Sequence, residues 1–358
     1  MITRLQIEKA REHLDTVIRK SRVHLYKPIQ IAEILRQHRF ESLDDLTDLE
    51  SYRTKSRQWR DDVSIVLLGS RSTSSARFQD DLFNENAVPP SAIAVLGELN
   101  SLTEGGVEAY IYSKLAERHQ GMSAALAYST LLSPSDFVLS DFLAKFRNDP
   151  GLRRSVDKAF EIVIYALITA VLDTLGATVS VSLDRQRLDV LSGFQEFLRT
   201  VIGLDAGTDK PFARPARVYR AGATNAADRG IDIWANFGPV IQVKHLDLSL
   251  GLAGDIVDSV AADRIVIVCR NAESSVIESV LTQTGFSSRV QGVITEENLV
   301  ELYDLALRGD GPAKLGQALI ELIKSELEVE FPSTGTGGLA KFALDRSYDL
   351  TVGFPELP

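Results

Sequence analysis

Downstream of Ile231 the chain alternates short β-branched runs with longer stretches of helical spacing, and this order constrains the fold more than any other feature. IDIW and VIQVK are followed by the helical pattern GLAGDIVDSVA, the run DRIVIVC, the helical pattern SSVIESVLTQTG, the run VQGVI and the helical pattern EENLVELYDLAL. Short apolar runs between turn signals read as buried strands, and apolar residues three and four apart mark one face of a helix. Strands separated by helices pack as a sheet with helices on its faces, so an α/β arrangement around a central mixed sheet is expected. Upstream, residues 155–175 form a long apolar helix that Gly176 ends, and 177–183 (ATVSVSL) alternate as a strand.

The first part of the chain reads differently. Ile7, Ala10, Leu14, Val17 and Ile18 fall at helical steps and give a first helix. Pro28 opens a second in PIQIAEILRQHR, because its fixed φ and missing N–H suit a first turn. Ser42 and the acids after it predict a capped third. VSIVLLG at 63–69 fits either a short buried strand or a helix end, and GSRSTSSARFQDD after it is a loop. Past VPP the segments are helical, with breaks predicted at Gly105-Gly106, Gly121 and Pro134. NDPG at 148–151 marks a boundary. The expected organisation is a mainly helical region over 1–150, a core over 151–310 with an insertion at 184–228, and a C-terminal extension over 311–358 whose PSTGTGGLAKF reads as a linker.

Within the core, DRGIDIWANFGPVIQVKH carries polar residues inside two apolar strands. With Asn236-Phe237-Gly238 as a three-residue hairpin loop and Gly238 at positive φ, residue 234 pairs with 240 and 232 with 242. Side chains alternate, so Asp232, Gln242 and Lys244 converge on one face, with Ile231, Ile233, Ile241 and Val243 anchoring the hairpin from behind. A solvated sheet face would carry such residues too.

An acid, an oxygen ligand two residues before a lysine, and a helix acid upstream resemble the site of the PD-(D/E)xK nucleases. Asp232 would be the first acid, Gln242 the second position, Lys244 the lysine and Glu161, in AFEIVIYAL, the acid from the first core helix. Ile231 stands where the family name has Pro. Gln242 replaces an acid, as in Mrr-like relatives with Q-x-K, and an amide oxygen can ligate a hard cation without bringing charge. The block KSRVHLYKPIQIAEILRQHR at 20–39, together with AFEIVIYAL and the hairpin, resembles the HaeII-type family of type II restriction endonucleases over most of the chain. That resemblance implies a restriction-endonuclease-like core and Mg²⁺-dependent double-strand cleavage of unmethylated DNA at a short GC-rich palindrome. It also implies metal ligation by Asp232, Gln242 and Glu161, and a partner methyltransferase acting on the same site. A palindrome is read economically by a two-fold homodimer. The alternatives are a Mrr-like modification-dependent or repair nuclease and an inactive DNA-binding protein on a nuclease fold.

Candidate DNA contacts are local, since the net charge of −10 argues against binding over the whole surface. Lys20, Arg22, His24, Tyr26 and Lys27 form a dense basic and aromatic segment, expected to contact DNA from the N-terminal region. KPFARPARVYR places Lys210, Arg214, Arg217 and Arg220 within eleven acid-free residues, and its prolines predict an extended loop along a groove. Arg71 and Arg77 lie among hydroxyls suited to phosphate. His245 falls opposite Lys244 and is expected to be structural. The single cysteine, Cys269, sits in an apolar run, which fits a reducing cytoplasm. The longest apolar run, 162–172, has eleven residues, short of the roughly 20 that span a bilayer.

Overall fold

The computed structural model describes residues 2–22, 24–40, 43–72, 79–131, 133–181, 188–201, 203, 212–221, 231–282, 289–309, 313–331 and 336–357. The chain forms two compact units, one from 1–162 with 323–358 and one from 163–221 with 228–322.

The first unit is helical. α1 (Arg4–Lys20) buries Ile7, Ala10, Leu14, Val17 and Ile18, the stripe its spacing predicts, and a Thr3/Gln6 capping box starts it. α2 (Tyr26–Arg39) holds Pro28 in its first turn and buries every residue from Pro28 to Leu35. Ser42, the expected cap, lies outside the described residues, and α3 runs over Leu49–Leu68. Asp45 accepts from the Thr47 amide at 2.8 Å, a local turn that competes with helix, and Asp48 is the cap, accepting from Glu50 N at 3.2 Å. Residues 63–68 are the end of α3, closed by Gly69 at φ 68°.

α4 (Pro90–Leu102), α5 (Gly106–Leu131) and α6 (Leu139–Asn148) follow. Gly121 does not break α5. A Cβ there would lie 2.3 Å from Asp149 Oδ2, so glycine serves the close approach of the loop after α6. α7 (Val156–Leu175) starts in this unit.

The C-terminal extension forms two helices, Ala313–Glu330 and Thr336–Asp345; the second takes the place of the expected linker over 336–342, and 332–335 lie outside the described residues. Leu339, Ala343 and Tyr348 join the core of the N-terminal helices. Two buried carboxylates hold them there. Glu33 accepts from Tyr112 Oη at 2.5 Å and from the Arg346 guanidinium at 2.5 and 3.2 Å. Glu108 accepts from Arg39 Nε at 2.8 Å, Asn100 Nδ2 at 2.7 Å and Tyr348 Oη.

The second unit is the α/β core. β1 (Thr178–Val181) pairs antiparallel with β2 (Phe212–Pro215), apart from the main sheet, and two short helices, α8 (Leu188–Gly193) and α9 (Gln195–Val201), lie between them in sequence. The strand expected over 177–183 therefore does not enter the central sheet. β3 (Val218–Arg220) does, followed by β4 (Ile233–Ala235), β5 (Val240–Leu248), β6 (Ile265–Ala272) and β7 (Val290–Thr295) in the order β3-β4-β5-β6-β7. The first two pairings are antiparallel and the last two parallel, which makes the sheet mixed. The crossovers are α10 (Leu250–Ser259) and α11 (Ser274–Thr282), and α12 (Glu296–Arg308) follows β7. Val240, Ile265, Ile267 and Cys269 pack with Ala253, Ile256 and Val257 of α10 in one cluster. Burial pushes the Cys269 thiol up to about 11, which leaves it unreactive.

Candidate active site

The hairpin of β4 and β5 carries the site. Ile233 pairs with Ile241 and Trp234 with Val240, so a three-residue loop joins the strands, with Gly238 at φ 119° and Ala235 N donating to Pro239 O at 2.9 Å. Asn236 locks this loop to the strand before it. Its Oδ1 accepts from Arg217 N and its Nδ2 donates to Pro215 O, both at 2.9 Å. The ladder continues one step past β4, where Ala221 N donates to Asp232 O at 2.8 Å, and this brings Asp232 opposite Gln242.

Asp232 Oδ2 accepts from Val243 N at 2.8 Å and from Gln242 Nε2 at 2.5 Å. Gln242 is 2% exposed, and its other amide atom, Oε1, is buried with no hydrogen-bond partner among the described residues. The donor must face the carboxylate, so the acceptor is left over. Lys244 lies two residues on, on the same face, beside Cys269 in register. It is half-buried, and among the described residues its ammonium makes no ion pair. The pairing of β5 with β6 shifts register just after Lys244, between it and Asp247. Such a bulge commonly re-aims a strand beside a site.

His245 turns to the opposite face, is buried, and brings Nε2 within 3.6 Å of Glu296 Oε2. Ile233, Ile241 and Val243 are buried as expected, but Ile231 packs against the cluster that contains Val240. Strand alternation does not extend back to Ile231, because β4 begins at Ile233.

Glu161 belongs to the other compact unit, where it is buried on α7 and its Oε2 lies 2.6 Å from Lys158 Nζ. Among the described residues no three His, Cys, Asp or Glu side chains group as a metal site. The fit to a cation rests on the Asp232–Gln242 pair. One carboxylate and one unclaimed buried amide oxygen form a donor set for a hard, oxygen-seeking ion.

Of the basic residues, Lys20, Arg22, Arg71, Arg214 and Arg217 are exposed. Arg118 pins the turn after α1, donating to the carbonyls of Ser21 and Arg22 at 2.7 Å each and to that of Ile18. Burial lowers the pKa of His24 although Glu330 opposes it, and burial likewise lowers that of Lys27 against Asp81. Tyr26 Oη lies 3.1 Å from Ser70 Oγ. The predicted loop KPFARPARVYR instead forms two strands over its described part, β2 paired with β1 and β3 paired with β4, because Pro215 closes an edge strand that needs no N–H there. Lys210 and Arg77 lie outside the described residues.

A family model described as HaeII restriction endonuclease matches residues 10–348. The chain belongs to the HaeII restriction endonuclease family. It is 49% identical over 343 residues to type II restriction enzyme HaeII of Haemophilus aegyptius, covering 96% of this chain and 97% of that one. It is also 49% identical over 349 residues to type II restriction enzyme NgoBI of Neisseria gonorrhoeae, covering 97% and 99%. No solved structure matches it. As a member of the HaeII family the chain is an endonuclease by class, and no helix among its described residues is long and apolar enough to cross a membrane. Sequence reasoning missed two features of this candidate site. They are Asn236, whose role depends on a neighbouring strand read as a loop, and the Tyr219–Trp234 stack on β3 and β4.

Proposed function

We propose that the protein is a type II restriction endonuclease that cuts both strands of DNA at a short, GC-rich palindrome, using Mg²⁺ held by Asp232 and Gln242. The observation that carries the reading is the buried Gln242 Oε1, left without a donor while Nε2 is committed to Asp232. Bound there, Mg²⁺ would supply Lewis acidity toward the phosphate oxygens.

The chain's own groups supply the rest. Val243 N and Gln242 Nε2 fix the Asp232 carboxylate, so its orientation is set before DNA arrives. Lys244, an ammonium on a flexible stem, neutralises charge building on the phosphate as a P–O bond to water forms and the ester P–O bond breaks. The resemblance adds Glu161 as the source of the charge that Gln242 lacks. On that reading Glu161→Gln raises the Mg²⁺ concentration needed for half-maximal cutting.

A homodimer matches the symmetry of a palindrome. A methyltransferase modifying the same site would protect the host DNA.

Plasmids of known sequence incubated with the protein in Mg²⁺ or EDTA test the proposal. Discrete fragments that map to one repeated sequence, appear only with Mg²⁺ and fall at least a hundredfold in Lys244→Ala are expected, by the scale of losing one transition-state contact of about 3 kcal/mol. Cutting confined to methylated plasmid would instead make it a modification-dependent nuclease, and tight binding without cuts an inactive DNA-binding protein.

A further inference from the structure

We propose that the stacked Tyr219–Trp234 pair is a DNA-contacting platform, holding the apolar face of a nucleotide that flanks the bond to be cut. The inference rests on the nuclease reading above. β3 and β4 pair Tyr219 with Trp234, with ring centroids 4.4 Å apart and planes at 21°. Both rings stay open to solvent, 37% and 43% exposed. Two large rings stacked on a sheet and left wet form an apolar surface of the kind that marks an interaction site.

Position selects DNA as the occupant. Trp234 pairs with Val240, alternation along β5 puts Val240 and Gln242 on one face, and Gln242 meets Asp232 there, so Trp234 shares the face of Asp232, two residues or about 7 Å along the chain. Successive base pairs of a duplex rise about 3.4 Å. A ring two strand positions from Asp232 would therefore meet the DNA within about two nucleotides of the phosphate at Asp232.

Charge agrees with position. FARPARVYR, the stretch that carries Tyr219, holds Arg214, Arg217 and Arg220 and no acid, in a chain whose net charge is −10. A duplex backbone, which alternates phosphates with the apolar faces of its sugars, suits arginines interleaved with rings. A second copy of this chain, with its net charge of −10, would bring an excess of carboxylates to the same strand.

The chain has two tryptophans, and the other, Trp59, packs against the helical core of the first unit. Trp59→Phe thus leaves Trp234 as the sole indole. The probe is a duplex oligonucleotide carrying the site mapped from the plasmid fragments, with Ca²⁺ in place of Mg²⁺. Binding is followed separately by the anisotropy of a labelled copy. DNA should cut acrylamide quenching of Trp234 at least twofold. Trp234→Ala should weaken binding about tenfold or more, and Trp234→Phe should keep most of it. The quenching measurement changes nothing at Trp234, so it decides the matter even where Trp234→Ala misfolds. A duplex that binds without altering Trp234 quenching overturns the platform and leaves the nuclease reading standing. Wild-type protein that neither binds nor cuts any duplex overturns both.

Discussion

Gln242 donates to Asp232 through Nε2 and leaves Oε1 buried with nothing to accept. An unsatisfied buried acceptor costs about 1–3 kcal/mol, which a chain selected for stability alone would shed. A glutamate at this position would bring the charge a cation prefers, but would set two carboxylates against each other where the amide now donates. Gln242→Glu is therefore expected to lower the Mg²⁺ concentration for half-maximal cutting and to lower Tm in EDTA, with Mg²⁺ restoring the Tm. Melting curves with and without Mg²⁺, beside a cleavage titration, check both halves. The meeting of Asp232 and Gln242 was legible in the sequence because a three-residue loop fixes the hairpin register. The orphaned oxygen was not, because it arises only when the carboxylate claims the other end of the amide.

At the scale of elements, the α1 stripe and the hairpin register follow from local periodicity and match what the sequence predicts. Elements whose shape depends on distant partners do not. β2 ends on Pro215, which argues for a loop, yet an edge strand tolerates a missing N–H. Gly121 sits inside α5 because Asp149 approaches it from another segment.

Two arginines close helices in the same hidden way. Arg118 takes the carbonyls of Ile18, Ser21 and Arg22, and Arg289 takes those of Val257, Val260 and Ala262 at the end of α10. A helix end leaves its last carbonyls without partners, and a guanidinium can satisfy several at once. Arg118→Met keeps the apolar stem and removes the donors, so it should destabilise the first unit by about 2–4 kcal/mol. The loss should be read by urea unfolding followed through Trp59. Because the turn it pins carries Lys20 and Arg22, DNA binding in 0.1 M salt should weaken with it.

For the whole molecule, the sequence foretold a helical region and an α/β core but not that the C-terminal segment belongs to the former. Arg346 reaches Glu33 and Tyr348 reaches Glu108, partners hundreds of residues apart in the chain, and no local pattern announces such pairs. The two units carry one tryptophan each, so their stabilities can be followed apart. The first unit should be the acid-sensitive one. Burial lowers the pKa of His119 from 6.5 to about 4, with the neighbouring His24 acting in the same direction. In the unfolded chain His119 binds its proton near pH 6.5, and in the folded unit only near 4. Between those values the unfolded state holds more protons, so stability is full above pH 6.5 and falls as pH drops toward 4. The shift corresponds to a loss of about 3 kcal/mol at most, and His24, also lowered by burial, adds to the same slope. Urea unfolding of the Trp234→Phe variant, followed through Trp59 from pH 7.5 to 4, should show the midpoint falling across this window. His119→Gln, which cannot titrate, should flatten the fall, and an unchanged slope in that variant would assign the acid sensitivity to other groups.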